Sequence, residues 1–281
     1  MQTFYIAGIA LGITAADLDP PEPSWQKFSL NRAPDLLYEV RHAPHLPTAD
    51  SEPFYRDDRV RLYRTQEGIL RIYSDLYTHR DTVSVLERVQ TDGCLTQEIT
   101  VSQHRYPWGK TAAQLYEILD LQHYFLRFGR LLIHGAYVLH EGRAIIFTAP
   151  SGVGKSTQAE LWRKHCGAAV INGDRVVLGF ENGRLMAYGF PFSGSSDDCE
   201  NVDAPVAAIV SLSQAKENHL QRLSGIEALR QLLRGVYSQP ENQNDLPRQL
   251  DFASEVVRHV PIYHLACLPE KSAAELLRVN L

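Results

Sequence analysis

Over the first stretch of the chain, to about residue 110, apolar and polar positions alternate with a period of two. Val60 and Leu62 are interleaved with Arg59 and Arg61, and Ile99 and Val101 with Thr100 and Ser102. That period sends successive side chains to opposite faces of a sheet, so residues 1–110 are expected to form a β-rich N-terminal domain. The apolar run 4–13 reads as one buried strand, and prolines at positions 20, 21, 23, 34, 44, 47 and 53 make the stretch after it irregular. At Thr111 the spacing changes: Leu115, Ile118, Leu119, Gln122 and Phe125 recur at helical intervals and Gly129 can cap them. A connecting helix over 111–130 is therefore expected, leading into a second domain, 131–281.

The second domain mixes the two periods. Residues 131–139 and 143–149 read as strands joined by a tight turn at Glu141-Gly142, and 176–180 and 185–188 as a hairpin around Glu181-Asn182-Gly183. Residues 168–172, 206–212 and 262–266 read as further strands. Residues 158–166, 225–237 and 250–258 read as helices, with a last helix opened by Pro269. The expected class is α/β with a mixed sheet.

Composition narrows the partners. A chain of 281 residues, 44% of them hydrophobic, can bury a full core. A net charge of -5 and a pI near 6.1 speak against a nucleic-acid surface, which needs clustered excess Lys and Arg. Cys94, Cys166, Cys199 and Cys267 form no CxxC pair, so free thiols are expected rather than a zinc site or a disulfide framework. The run 4–13 lacks the basic start and cleavage site of a signal peptide, and no stretch approaches the roughly 20 apolar residues that span a bilayer. A cytoplasmic protein without membrane contact is expected.

The chemistry is concentrated in Ala149-Pro150-Ser151-Gly152-Val153-Gly154-Lys155-Ser156-Thr157. This is the phosphate-loop pattern GxxxxGK[ST] with Ala149 in place of the first glycine, set between a strand and a helix. Gly152 and Gly154 let the backbone curl into a nest of N–H donors, and the helix that follows turns its positive end toward an anion. Lys155 can follow the β- and γ-phosphates of ATP, and the Ser156 hydroxyl can ligate Mg2+. Ser151, Gly152, Val153, Gly154, Lys155, Ser156 and Thr157 are the expected nucleotide-binding residues. Asp174, closing the apolar run 169–172 after Asn172-Gly173, is the expected carboxylate partner of the magnesium ion. His134 has no role that its own position assigns. Asp197, Asp198 and Glu200 form an acidic cluster near the substrate or on a solvated loop.

Together, His134-Gly135-Ala136, the run 147–157, Asn172-Gly173-Asp174-Arg175-Val176 and Tyr188-Gly189-Phe190-Pro191-Phe192-Ser193-Gly194 resemble the kinase domain of HPr kinase/phosphorylase and its smaller relatives, lasso-peptide kinases among them. The resemblance covers about residues 130 to 270 and implies a mixed-sheet P-loop kinase domain of the HPr kinase/phosphoenolpyruvate carboxykinase type, preceded by the smaller β-rich domain. It places His134 near the transferred phosphate, making His134, Lys155 and Asp174 the catalytic candidates and Ser156 and Asp174 the magnesium ligands. The family's paired aspartates appear here as Gly173-Asp174, and its C-terminal phosphorylase signature is not recognisable, so HPr is not the expected substrate. With one aspartate, the role of general base falls to His134, Asp197, Asp198 or Glu200.

The expected activity is ATP- and Mg2+-dependent transfer of the γ-phosphate to a hydroxyl, on Ser or Thr of a peptide or protein or on a small hydroxylated metabolite. The alternative is an ATP-binding regulatory or assembly module that transfers nothing. Homo-oligomers are compatible with either.

Overall fold

The computed structural model describes residues 1–89, 95–194, 196–237 and 242–281. Cys94 and Ser195 lie outside the described residues. The chain divides into two compact units, Met1–Asp120 and Leu121–Leu281.

The first unit is built on an eight-stranded sheet. In chain order it contains β1 (Gln2–Ile6), β2 (Ile9–Thr14), α1 (Pro23–Gln26), β3 (Leu36–Ala43), β4 (Tyr55–Arg56), β5 (Val60–Arg64), β6 (Ile69–Ser74), β7 (Asp81–Val89), β8 (Leu95–Ser102) and α2 (Ala112–Leu115). The strand order is β1-β2-β3-β8-β7-β6-β5-β4, with β2, β3 and β8 parallel and the others antiparallel. The run 4–13, expected as one strand, is a hairpin that sets Phe4 opposite Leu11. It turns at Ala7 and Gly8, both at positive φ. Gly8 supplies the turn chemistry, but one glycine inside an apolar run is also tolerated within a strand and so does not by itself mark a turn. Thr100 and Ser102 are as buried as Ile99 and Val101, so the alternation there does not mark a wet face.

The continuous helix expected over 111–130 is broken. It consists of α2, a 3-10 turn at Tyr116–Ile118 and α3 (Leu121–Arg127). At the break Asp120 adopts φ 48°, which ends a right-handed helix, and its buried carboxylate lies 3.2 Å from Arg71 Nη2 of β6. Removing one partner of such an enclosed pair strands the other charge, a loss of about 3–5 kcal/mol. Helical spacing cannot reveal that competition.

The second unit continues with β9 (Arg130–His134), β10 (Ala136–His140), β11 (Arg143–Thr148), α4 (Lys155–Cys166), β12 (Ala169–Asn172), β13 (Arg175–Glu181), β14 (Arg184–Tyr188), β15 (Asp203–Gln214), β16 (His219–Leu223), α5 (Gly225–Leu233), α6 (Leu246–His259), β17 (Ile262–Cys267) and α7 (Lys271–Arg278). Its sheet runs β12-β10-β11-β15-β14-β13-β9, with β17 also on β15 and β16 on β17. β11, β15 and β17 are parallel and the remaining pairs antiparallel, so the unit is mixed α/β. The turns at Glu141-Gly142 and Asn182-Gly183 both hold positive φ at two successive residues, as two-residue hairpins require.

Three readings of this unit need correction. Residues 131–139 are not one strand: the chain breaks at Gly135, β9 pairing with β13 and β10 with β11 and β12. A Cβ at Gly135 would stand 3.0 Å from the Phe147 carbonyl oxygen and 3.1 Å from Ile146 Cγ2, so a side chain at the crossing point would be crowded. The helix expected over 225–237 ends at Leu233, and β16 was not foreseen.

The core packs both elements that flank the loop 149–154. Ala144 and Ile146 of β11 face one apolar cluster, with α5 and α6; Ile145 and Phe147 face another, with α4 and α7. A strand buried on both faces reads as a continuous apolar run, as 144–147 does. Trp162 of α4, fully buried, meets Phe147 with ring centroids 6.3 Å apart, which clamps the helix to the strand that precedes the loop. Among the described residues no helix is long and apolar enough to cross a membrane.

Candidate functional site: a phosphate loop facing a His-Asp pair

The loop from β11 to α4 adopts the curl its glycines allow, with Gly152 at φ 78° and Gly154 at φ 128°. Ala149 is not among the residues at positive φ, so a side chain costs nothing where the pattern has its first glycine. Gly154 is the N-cap of α4, and having no side chain it makes no cap hydrogen bond to the first-turn N–H groups. Those donors, at the positive end of a 12-residue helix, are what an anion needs.

Lys155 is buried and its Nζ donates to the Ala149 carbonyl at 3.1 Å, folding the side chain back over the loop. Burial pushes its pKa below the ordinary lysine value; the Asp174 carboxylate opposes that and Arg175 adds to it. Ser151, Ser156 and Thr157 are exposed. They share with Lys155 a cavity of ≈ 270 Å³ whose other wall contains His134 and Asp174. Val153 instead lines a second cavity on the far side of the loop.

His134 closes β9 and Asp174 precedes β13, and the antiparallel pairing of those strands brings them together: His134 Nε2 lies 3.0 Å from Asp174 Oδ1. The other carboxylate oxygen of Asp174 pairs with Arg175 Nη1. Burial would raise the Asp174 pKa, but the His134 hydrogen bond and the Arg175, His134 and Lys155 charges outweigh it, so the carboxyl lies below its usual range. Asp174 is therefore ionised at neutral pH.

The residue that sequence reasoning missed is Asn172. It is fully buried; its Oδ1 accepts from the backbone N–H groups of Asp174 (2.9 Å) and Arg175 (2.8 Å), and its Nδ2 donates to the carbonyls of Phe190 (2.8 Å) and Phe192 (3.1 Å). One amide thus fixes the turn that presents Asp174 and ties it to the segment around Phe192. The Asn-Gly pair signals a turn, but the second set of bonds is invisible in sequence. Arg175 in turn lies between the rings of Phe192 and Tyr237, 5.6 and 5.0 Å from their centroids.

The acidic cluster is not gathered into the site. Ser193 and Ser196 line the cavity, whereas Asp197, Asp198 and Glu200 do not. Asp198 pairs with Arg163 of α4 and accepts from Ser196 Oγ at 3.2 Å. A Cβ on Gly173 would sit 2.5 Å from Ser196 Cβ, so the place where the resembling family carries its other aspartate is filled by the Ser196 side chain.

No family model and no curated protein matches the chain. Among solved structures it is similar to the Hpr(Ser) kinase/phosphatase from Coxiella burnetii, with 12% identity, a TM-score of 0.32, and coverage of 53% of this chain and 86% of that one.

Proposed function

We propose that the Leu121–Leu281 unit is an ATP- and Mg2+-dependent phosphotransferase that moves the γ-phosphate to a hydroxyl, with Ser or Thr of a peptide or protein as the acceptor class that the HPr-kinase resemblance of the sequence implies. The observation that carries this reading is the single cavity onto which Lys155, Ser156, Asp174 and His134 all open. The loop N–H groups and Lys155 hold the phosphates, and Lys155 follows the charge that develops on the transferred group.

The oxygen set fits magnesium: the Ser156 hydroxyl and the Asp174 carboxylate face the same cavity, and Mg2+ takes one or two protein oxygens with phosphates and waters completing its shell. Bound there, the ion would neutralise phosphate charge. Among the described residues no group of three or more His, Cys, Asp or Glu gathers as a metal cage, and a site of this type needs none.

His134 is assigned the proton of the acceptor hydroxyl. Asp174 is ionised, so it selects the tautomer with Nε2–H toward its Oδ1 and leaves Nδ1 as the accepting nitrogen. Asp174 then stabilises the imidazolium that forms, and each of its oxygens keeps a lone pair for a second ligand.

The test is ADP release from MgATP against a library of Ser- and Thr-containing peptides, compared with the same peptides carrying Ala. Hydroxyl-dependent ADP release, lost in Lys155→Ala, is the expected result. ATP binding without release on any acceptor would support the binding-module reading instead.

A further inference from the structure

Across the phosphate loop from the His-Asp pair lies a second cavity of ≈ 430 Å³, a size that suits a small-molecule group. Gly152, Gly154 and Thr157 line both cavities, so the two meet over the loop. Its chemistry is opposite to that of the first. The walls are Val153, Leu212, Ala215, Leu268 and Pro269, from the loop and from the ends of β15 and β17, and among the described residues no lining side chain is charged. The polar side chains are the hydroxyl of Thr157, the amides of Gln158 and Gln214 and the thiol of Cys267.

Those groups are incompletely used. Gln158 is 2% exposed; its Nε2 donates to Cys267 Sγ at 3.3 Å while its Oε1 has no partner among the described residues. A buried carbonyl oxygen without a donor is uncommon in a folded protein, and the terminal amide torsion is soft enough to turn toward a ligand. Gln214 Nε2 stands 3.5 Å from the Val153 carbonyl, too long for a strong bond. Uncharged apolar walls with amides that both donate and accept suit a nucleobase, and not a phosphate, a sugar acid or a cationic peptide.

We propose that this cavity takes the base of the nucleotide whose phosphates lie on the loop, with Cys267 at its floor as a thiol that the bound base shields. The proposal rests on the nucleotide reading of the phosphate loop and adds where the base goes, which residues meet it, and a reactive group that reports on it. Val153 and Leu212 supply the apolar contacts, and the Gln158 and Gln214 amides meet the edge of the base.

Cys267 makes the test direct. Iodoacetamide alkylates a thiolate with loss of iodide, the thiol proton going to buffer. Burial raises the Cys267 thiol above its ordinary value, so labelling is run at alkaline pH and each cysteine is read separately by peptide mass. Cys166, outside the cavity, is the internal control. MgATP is expected to slow alkylation of Cys267 at least tenfold while leaving Cys166 unchanged, and magnesium tripolyphosphate, which fills the loop without a base, is expected to protect neither. Equal protection by tripolyphosphate, or no protection by ATP at concentrations where calorimetry shows it bound, would overturn the base assignment. Failure of both ligands to bind would instead bring down the nucleotide reading, and this inference with it. Ala215→Trp, at a half-buried position on the rim, gives an independent reading: ATP affinity should fall at least tenfold with tripolyphosphate affinity unchanged, and unchanged ATP affinity in the folded variant overturns the proposal.

Discussion

His134 Nε2 stands 3.0 Å from Asp174 Oδ1, although the two residues are 40 positions apart in the chain. The pairing of β9 with β13 sets that distance, and Gly135 lets the chain leave β9 immediately after the histidine. The pair faces Lys155 and Ser156 across one cavity, and most of the testable consequences come from this arrangement.

On the proposed function, Lys155→Ala removes the charge that would lie over the phosphates and should lower kcat by at least about 100-fold, with a weaker ATP affinity. Titration calorimetry and acceptor-dependent ADP release measure the two effects. Wild-type values for both would mean that the loop does not hold the transferred phosphate.

His134→Ala should reduce turnover about 100-fold while leaving ATP affinity within about threefold of wild type. Acceptor-dependent ADP release and titration calorimetry measure the two effects. A variant that keeps wild-type turnover would assign the base elsewhere.

For Asp174 the sign of the pH effect is fixed by its lowered pKa. A carboxyl depressed in the folded state adds stability above its unfolded pKa, near 3.9, and loses that contribution as pH falls through the folded value. Urea unfolding of Asp174→Asn should show a deficit of about 1–2 kcal/mol at pH 7, from lost charge-assisted hydrogen bonds. The deficit should shrink as the pH falls below about 4. A deficit independent of pH would mean that packing, not charge, is lost.

Replacing Asp197, Asp198 and Glu200 together with Asn or Gln should leave turnover within about threefold of wild type and cost about 1 kcal/mol or less of stability, because the Asp198–Arg163 pair lies at the surface. A collapse in turnover with intact ATP binding would return the cluster to the list of candidate bases.

Gly173→Asp recreates the paired aspartates of the resembling family, but its Cβ would meet Ser196 Cβ at 2.5 Å. The single variant should lose about 1–3 kcal/mol of stability, typical of overpacking. Ser196→Gly in the same chain should recover most of it. Additive losses in this double-mutant cycle would show that the two positions do not compete for space.

Local chemistry was enough to read the glycine curl between β11 and α4, the turns at Glu141-Gly142 and Asn182-Gly183, and the strand expected over 143–149, because each depends on residues within one turn or one strand. Gly152 and Gly154 announce backbone freedom wherever they occur, and a strand buried on both faces must be apolar throughout. Tertiary structure alone decided the rest. It broke the 111–130 helix at Asp120, where a long-range ion pair with Arg71 outweighs helical periodicity. It split 131–139 at Gly135, where the Phe147 carbonyl and the Ile146 side chain of another strand crowd the space a side chain would need. It turned Asp198 to Arg163 while carrying His134 to Asp174, and it gave Asn172 four backbone partners on two segments. Sequence names the groups able to do chemistry; which of them meet depends on strand pairing and on the space left between backbones, neither of which is local.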